Sequence, residues 1–256
     1  MMRVEDFELI SNRRLTRDYF VIDLLGKGRL EKILPGQFVQ VRVDNNRDTF
    51  LRRPISVYDV DYENNIIRLL IKEVGKGTGA IAKLNTGSSV NIIYPLGNSF
   101  SIGDKGSKSL LIGGGVGVAP LFLLARSLKN KLLDFKFILG YQTAEHIIEI
   151  EKYSELGQVL ITTDDGSYGH KGLVVEHPEL HEGDCDRIYC CGPEPMMKSV
   201  ASIAKSRNLF CEVSLENTMA CGFGVCLCCV VETTRGFINT CTEGPVFNIN
   251  ELKWQI

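Results

Sequence analysis

Hydrophobic residues in the first part of the chain fall into short runs that turn signals separate. The runs that predict strands stand at 38–43, 55–60 and 66–71. The turn signals around them stand at Pro35-Gly36, 44–46 and 63–65. Many short strands at this spacing are typical of an antiparallel barrel or sandwich. We therefore predict an antiparallel β-barrel over residues 1–102.

After a polar linker at 103–109, apolar strands alternate with helical stretches. The strands are predicted at 110–112, 135–140, 158–162 and 187–190, and the helices at 120–131 and 195–207. Strands that alternate with helices predict βαβ units on a parallel sheet, which we assign to residues 103–210. Residues 211–256 show little regular patterning and are predicted to form a third, small domain. The predicted fold class is thus multi-domain, a β-barrel followed by an α/β domain.

The bulk composition narrows the classes of function. The chain has 256 residues, of which 44% are hydrophobic and 23% charged, as in ordinary globular proteins. A net charge of −2 argues against a role in binding nucleic acid or a membrane surface. No apolar run reaches the roughly 18 residues of a transmembrane helix, and the charged N-terminus lacks the apolar core of a secretory signal. We therefore expect a cytoplasmic protein without a membrane partner.

The cysteines are numerous and unevenly distributed. All nine lie after residue 184, and five of them lie between Cys221 and Cys241. In a reducing compartment, such clustering predicts metal binding or catalysis rather than disulfide bonds.

Four of these cysteines have the C-x4-C-x2-C…C spacing of a plant-type [2Fe–2S] site: Cys221, Cys226, Cys229 and Cys241. Gly222 and Gly224 allow the tight, partly left-handed turns that such a loop requires. Cys228 does not fit the spacing, and we assign it no ligand role. The alternative is a zinc site made of four cysteines, although zinc sites normally use two C-x2-C knuckles.

A glycine-rich turn follows the strand at 110–112 and precedes a helix that begins near Pro120. Gly115 and Gly117 would let the backbone approach a phosphate, and the helix N-terminus would supply hydrogen-bond donors. The turn is not a standard dinucleotide fingerprint, because Pro120 occupies the third glycine position and the expected acidic residue is missing about 20 residues on. The alternative is simply tight packing of the strand on the helix.

Two further strand ends favour a nucleotide site. Asp164-Asp165 and Cys191-Gly192-Pro193 each follow an apolar strand, and the carboxyl ends of such strands line the ligand crevice of an open α/β sheet. The aspartates could accept hydrogen bonds from ribose hydroxyls and would repel a 2′-phosphate, which favours NAD over NADP. The alternatives are a solvated turn for the aspartates and a buried strand thiol for Cys191, which we otherwise place near the nicotinamide C4.

Two elements of the barrel predict a flavin site. Arg53 stands beside Pro54 and Ser56 in a strand, and its planar guanidinium suits pyrophosphate oxygens. Gly77 and Thr78 would present backbone N–H and hydroxyl donors at a helix start. Ser56 could form a hydrogen bond with the edge of the flavin ring. The alternative interprets Arg53 as a surface residue and the glycines around Gly77 as a flexible turn.

In this order, the elements resemble the ferredoxin–NADP reductase superfamily, with R-x-x-S in the barrel and G-G-x-G and C-G-P in the nucleotide domain. Segments 191–197 and 214–222 narrow the resemblance to the electron-transfer subunits of dihydroorotate dehydrogenase B, over essentially the whole chain. The resemblance implies FAD and one [2Fe–2S] cluster. It also implies an FMN-bearing catalytic subunit as partner, in an α2β2 heterotetramer.

The resemblance also implies roles for individual residues. Flavin contacts fall on Arg53, Pro54, Ile55, Ser56, Leu70, Ile71, Lys72, Gly77 and Thr78. Cluster ligands fall on Cys221, Cys226, Cys229 and Cys241. Together with the strand ends, we expect NAD contacts at Gly115, Gly117, Asp164, Gly192 and Pro193, and catalytic roles for Ser56 and Cys191. Ile55 departs from the wider superfamily, in which a tyrosine usually stacks on the flavin.

The implied function is electron transfer in pyrimidine biosynthesis. Dihydroorotate would reduce the FMN of the partner, single electrons would cross the cluster, and FAD would pass a hydride to NAD⁺. Flavin has to stand between the other two because it handles both single electrons and hydrides. One alternative is an NADH-linked ferredoxin or sulfur-metabolism reductase subunit with the same cofactors. The other is a zinc-stabilised binding protein without catalytic activity.

Overall fold

The computed structural model describes residues 1–43 and 49–254, so the turn predicted at 44–46 lies outside the described residues. Its strands are β1 Arg3–Arg14, β2 Tyr19–Leu25, β3 Phe38–Val41, β4 Arg53–Ser56, β5 Asp59–Asp61, β6 Ile66–Lys72, β7 Ser89–Leu96, β8 Lys108–Gly114, β9 Asp134–Tyr141, β10 Gln158–Thr163, β11 His170–Lys171, β12 Arg187–Cys191, β13 Phe210–Ser214, β14 Val230–Thr233, β15 Gly236–Asn239 and β16 Val246–Asn248. Its α-helices are α1 Lys76–Ala82, α2 Ala119–Asn130, α3 Ile150–Leu156, α4 Pro178–Glu182, α5 Glu194–Ser206 and α6 Thr240–Glu243.

Strands β1 to β7 form one antiparallel sheet in the order β4-β3-β7-β1-β2-β6-β5. Strand β4 also contacts β6, so the sheet bends into a half-barrel around a buried apolar core. The single strand predicted at 55–60 is instead divided between β4 and β5. The division arises because β4 pairs with β3, whereas β5 pairs with β6. The N–H of Val57 donates to the carbonyl of Gln37 beside β3, and the N–H of Tyr58 donates to the carbonyl of Arg68 in β6, both at 3.0 Å.

The second sheet has the order β11-β10-β9-β8-β12-β13-β16, and all of its strands are parallel except β16. From β8 the chain proceeds outward through β9, β10 and β11, and then returns to the other side of β8 with β12. The order of strands therefore reverses between β8 and β12. At such a switch point, open α/β sheets bind ligands beyond the carboxyl ends of the strands.

The cysteine-rich part of the chain is more regular than its sequence pattern suggests. Strand β13 extends the parallel sheet beside β12, and β16 closes that edge in the antiparallel direction. The hairpin β14-β15 and helix α6 lie between them in the chain. Because β13 begins at Phe210, it crosses the predicted boundary between the second and third domains. The division into 1–102, 103–210 and 211–256 remains a prediction.

The half-barrel and the α/β sheet share an aromatic core. The ring of Tyr58 lies 4.6 Å from that of Phe122 in α2 and 6.4 Å from that of Tyr153 in α3. Arg126 of α2 forms an ion pair with Asp59 of β5. This packing holds β4 and β6 opposite the carboxyl ends of β8 and β12. Within the described part of the chain, no helix has both the length and the apolar character needed to cross a bilayer.

Candidate functional site

A cavity of about 480 Å³ opens where the half-barrel meets the switch point of the α/β sheet. Its walls come from β4, the end of β6, the turn after β8 and residues 214–219. Eight of the nine predicted flavin contacts line it, namely Arg53, Pro54, Ile55, Ser56, Leu70, Ile71, Lys72 and Thr78. The volume lies within the range of roughly 300–1,000 Å³ that is usual for cofactor sites.

Gly77, the remaining predicted flavin contact, does not line the cavity. It packs against Arg53, which does. The guanidinium of Arg53 lies directly on the Cα of Gly77, where it would collide with any added Cβ atom. Its Nη1 also donates a hydrogen bond to the carbonyl of Leu51 at 2.6 Å. The hydroxyl of Thr78 is already used locally, because it accepts a hydrogen bond from the N–H of Val74 at 2.9 Å. The guanidinium of Arg53 is therefore held in the wall of this cavity, and its contact with a pyrophosphate remains a prediction.

A second cavity of about 360 Å³ lies beyond the ends of β8, β9 and β10. Its wall includes three of the residues predicted to contact NAD, which are Gly115, Asp164 and Pro193. The two cavities share Lys72, Gly114, Gly115 and Pro193, so they meet at the switch point. This arrangement places two ligand-sized spaces side by side with a common wall.

Gly117 and Gly192, the other two predicted NAD contacts, pack within the fold rather than line the cavity. A Cβ atom on Gly117 would collide with the carbonyl of Cys191. A Cβ atom on Gly192 would lie 2.6 Å from the Cε of Met196. Tight packing therefore accounts for these two glycines, whereas Gly115 lies in the wall of both cavities. The roles of Gly117 and Gly192 in NAD binding remain predictions.

The two adjacent aspartates differ in their surroundings. Asp164 lies in the wall of the second cavity, and its backbone N–H donates to the carbonyl of Tyr141 at 3.1 Å. Asp165 instead caps a turn, with its carboxylate accepting hydrogen bonds from the N–H and the hydroxyl of Ser167 at 2.9 and 2.6 Å. Both aspartates are exposed in the turn after β10, but only Asp164 also lines the second cavity, and its contact with NAD remains a prediction.

Cys191 is completely buried and lies in the wall of neither cavity. Its Sγ lies 3.9 Å from the Oε1 of Glu216, and burial raises the pKa of the thiol well above its usual value. Glu216 faces the first cavity, where desolvation by the surrounding protein raises its pKa against the opposing effects of Cys191 and Lys72. The catalytic role of Cys191 remains a prediction, as does that of Ser56.

The structure brings the four predicted cluster ligands together as two pairs. The thiols of Cys221 and Cys226 interact with each other, as do those of Cys229 and Cys241. Backbone donors point at the sulfurs, with the N–H of Gly224 3.1 Å from the Sγ of Cys241. Cys228 lies apart from both pairs, since its thiol donates to the carbonyl of Thr218 at 3.6 Å.

Glycine is required at two positions of this loop. Gly222 and Gly224 have φ angles of 83° and 86°, in the left-handed region that other residues rarely adopt. These two turns fold the loop back on itself and direct its N–H groups inward. The composition of the loop therefore follows from the shape needed to surround sulfur atoms.

Four neighbouring cysteine thiols, with backbone donors directed at sulfur, are a donor set that fits a two-iron cluster. Over residues 1–43 and 49–254, no three His, Cys, Asp or Glu side chains are grouped to hold one ion. In a [2Fe–2S] group, four thiolates are divided between two irons. Desolvation and the neighbouring Cys229 raise the pKa of Cys241 to about 12. The Cys241 thiol is therefore held as its thiolate by a strong positive charge beside it, which bound iron would supply.

The buried pair of cysteines lies next to the first cavity. Cys229 and Cys241 pack in one apolar cluster with Phe38 and Met219. Phe38 and Met219 also line the first cavity. The apolar cluster that contains these two cysteines therefore also forms part of the cavity wall.

Sequence reasoning missed several residues of the first cavity, including Phe38, Glu216, Asn217 and Met219. The last three lie in segment 214–222, which carried the family resemblance, so a signal for them was present. Phe38 carried no comparable signal, because an aromatic residue in a strand is expected in any apolar core. Only the bend of the half-barrel brings it to the cavity.

Three family models match successive parts of the chain. The oxidoreductase FAD-binding domain matches residues 6–100, and the oxidoreductase NAD-binding domain matches residues 111–202. The iron–sulfur cluster binding domain of dihydroorotate dehydrogenase B matches residues 216–253. These matches confirm the predicted binding of FAD, NAD and an iron–sulfur cluster.

Curated relatives match the chain along nearly its whole length. A protein of Lysinibacillus sphaericus named dihydroorotate dehydrogenase B (NAD(+)), electron transfer subunit, is 34% identical over 253 residues, which cover 96% of this chain and 97% of the relative. A protein of the same name from Caldanaerobacter subterraneus is 38% identical over 248 residues, which cover 95% and 96%.

Solved structures confirm the predicted fold class. The structure of an NADH-dependent reduced ferredoxin-NADP oxidoreductase has a TM-score of 0.88 and 29% identity, and the match covers 97% of this chain and 90% of that one. Phthalate dioxygenase reductase, at 17% identity, shares the fold with a TM-score of 0.69, and the match covers 90% and 87%.

Proposed function

The chain belongs to the family of dihydroorotate dehydrogenase B electron transfer subunits, and on this premise we propose how it works. It is an oxidoreductase subunit that transfers electrons to NAD⁺, with domains for FAD, NAD and an iron–sulfur cluster. In our proposal, the electrons come from dihydroorotate through an FMN-bearing catalytic subunit, in an α2β2 heterotetramer of the cytoplasm. None of the nine cysteines, all of which lie in the described residues, forms a disulfide bond, which suits a reducing compartment.

One observation carries the proposal, namely that the apolar cluster of Cys229 and Cys241 shares residues with the first cavity, which in turn shares residues with the second. Phe38 and Met219 join the pair Cys229 and Cys241 to the first cavity, which shares Pro193 with the second. When bound, FAD exchanges single electrons with an iron–sulfur cluster and a hydride with nicotinamide. The first cavity therefore has the position that a flavin site between cluster and nicotinamide must have.

The side chains around the cavities bind, orient and exclude water in this proposal. Arg53 binds the pyrophosphate of the dinucleotide, because its planar guanidinium is already held over Gly77. Ser56 forms a hydrogen bond with the polar edge of the flavin ring. Phe38 and Met219 keep water out of the space toward the cysteines, which lowers the local dielectric constant. Cys221, Cys226, Cys229 and Cys241 hold the two irons.

The partner subunit is proposed to dock on the outer side of the cysteine loop. Cys226 is exposed there, and it lies between Val225 and Leu227, which are 73% and 64% exposed. Phe223, on the same loop, is 43% exposed. Exposed apolar side chains grouped beside a redox centre are typical of an interface, and an electron donor has to approach this centre closely.

A Val225→Glu variant is expected to bind the catalytic subunit about 30-fold more weakly, or ~2 kcal/mol, because it buries an unpaired charge in the interface. Titration calorimetry with the separately purified catalytic subunit measures this change. Iron content and visible absorption should stay as in the wild type. A Leu132→Asp variant is the control, since Leu132 is 91% exposed in the α/β domain. Equal binding by the Val225 variant would contradict the proposed docking face.

Asp164 is proposed to hold the ribose of NAD. An Asp164→Ala variant is expected to raise the KM for NADH about tenfold, because it removes hydrogen bonds from ribose hydroxyls to a carboxylate. It should also lower the preference for NADH over NADPH. Asp165→Ala is the matched control and is expected to change neither value more than about twofold, since Asp165 is engaged with Ser167. Steady-state kinetics with ferricyanide as acceptor measure the KM for NADH and the preference over NADPH. A larger effect of Asp165→Ala than of Asp164→Ala would exclude this assignment.

The experiment that tests the proposed function is co-expression with a candidate FMN-bearing catalytic subunit. The purified complex should contain FAD, FMN, iron and acid-labile sulfide, and should reduce NAD⁺ when dihydroorotate is added. A second candidate is supported by the likeness to the NADH-dependent reduced ferredoxin-NADP oxidoreductase. In that case the chain would exchange electrons with ferredoxin, and the complex would show no activity with dihydroorotate.

A further inference from the structure

Gln40 is a buried polar residue that the proposed mechanism leaves unexplained. Its side chain is completely buried on β3, and neither the Nε2 nor the Oε1 has a hydrogen-bond partner among the described residues. Leaving a buried polar group without a partner destabilises the fold, so native proteins rarely do so without a reason. A missing bound group is one such reason.

The amide of Gln40 lies against the cysteine loop. A Cβ atom added to Gly222 would stand 2.6 Å from the Cγ of Gln40 and 2.7 Å from its Nε2. Gly222 directly follows Cys221, the first proposed cluster ligand. The side chain therefore reaches from the half-barrel to the backbone beside that ligand.

Apolar side chains flank Gln40 in the sheet, while Arg52 donates a hydrogen bond to its backbone carbonyl at 3.1 Å. Phe38 lies two residues before Gln40 on the same face of β3. On the neighbouring strand β7, Ile93 pairs with Gln40. Phe38 and Ile93 belong to the apolar cluster that contains Cys229 and Cys241. The loop that Gln40 contacts begins with Cys221, so the acceptors that it offers to the amide are the sulfurs of the proposed cluster.

We propose that the side-chain amide of Gln40 donates a hydrogen bond to the iron–sulfur group held by the cysteine loop. This inference rests on the proposed ligand set. An amide carries two N–H donors, and hydrogen bonds to the sulfurs are among the factors that set the potential of such clusters. Because the reduced cluster carries one more negative charge, the donor stabilises it more than the oxidised form. Gln40 is thus a positioning residue that ties the loop to the half-barrel and raises the reduction potential.

The test is a redox titration of the loaded protein, followed by electron paramagnetic resonance. Gln40→Leu is expected to lower the equilibrium constant for cluster reduction about tenfold, which is about 59 mV for one electron. Gln40→Met, which keeps nearly the same size but has no N–H or O–H donor, should shift the midpoint in the same direction. Gln37→Leu is the matched control, because Gln37 is fully engaged with Gly97 and Leu34 and should leave the midpoint unchanged. Unchanged midpoints in both Gln40 variants would overturn the inference.

Thermal unfolding gives a second readout that does not depend on electron transfer. In the cluster-free protein, Gln40→Leu removes an unpaired buried amide and should raise the Tm by about 2–4 °C. In the loaded protein, the same change removes a hydrogen bond and should lower the Tm. If Gln40→Leu shifted the Tm in the same direction in the cluster-free and the loaded protein, the proposed hydrogen bond from Gln40 to the cluster would be contradicted. If the wild type itself held no iron or sulfide, the proposed ligand set would fail, whereas a loaded wild type with unshifted variants refutes only the role of Gln40.

Discussion

A Cys229→Ser variant is expected to lose about a thousandfold in dihydroorotate-dependent NAD⁺ reduction by the complex, equivalent to ~4 kcal/mol of barrier. Cys229 belongs to the buried pair that packs beside the flavin cavity, and serine supplies no thiolate to iron. Iron and acid-labile sulfide should fall with the activity. NADH-dependent reduction of ferricyanide should stay close to that of the wild type, because it requires only the two cavities. The comparison of the two assays locates the defect between the partner and the flavin.

Cys228→Ser is a stringent control, because it makes the same chemical change one residue earlier. Its thiol is exposed and donates to the carbonyl of Thr218, away from both cysteine pairs. The variant is therefore expected to keep its iron, its visible spectrum and its dihydroorotate-dependent activity. If Cys228→Ser lost the cluster while Cys229→Ser retained it, the assignment of ligands by the C-x4-C-x2-C spacing would be wrong.

The fold and the cofactor classes could be predicted from sequence because each has a local cause. The spacing from Cys221 to Cys229 is set by how a short loop surrounds a cluster, and the strand–helix alternation of the α/β domain follows from side-chain periodicity. Arg53 and Gly77 were also found from local patterns. Their dependence on each other was not, because two residues 24 positions apart meet only when β4 and α1 have packed.

Several of the missed features depend on contacts between distant parts of the chain. Phe38 and Gln40 read as ordinary residues of a short strand until the bend of the half-barrel places them against the cysteine loop. The division of the predicted strand at Val57 has the same origin, since the local sequence favours an extended chain but two different strands compete to pair with it. Asp164 and Asp165 are identical in type, and only the turn geometry distinguishes the residue that faces the cavity from the one that caps the turn.

Gly77→Ala is expected to raise the dissociation constant for FAD about 100-fold, equivalent to ~3 kcal/mol. The added Cβ atom occupies the place of the Arg53 guanidinium, so the arginine must leave the position from which it reaches the pyrophosphate. Charge-assisted hydrogen bonds of this kind contribute roughly 1.5–3 kcal/mol each. Fluorescence titration of flavin-free protein with FAD measures the change. The folded state should not suffer, because alanine is favoured over glycine by about 1 kcal/mol inside a helix such as α1.

Gly75→Ala separates this effect from a general loss of glycine. Gly75 precedes the same helix, has an extended φ of −170°, and has no heavy atom within 4 Å of an added Cβ. Its variant should bind FAD as the wild type does. If Gly77→Ala acts through Arg53, the double variant Gly77→Ala/Arg53→Leu should bind FAD no more weakly than Arg53→Leu alone. If the double variant instead lost as much affinity for FAD as the two single variants combined, Gly77 would contribute to the site independently of Arg53. The guanidinium would then no longer explain why glycine stands there.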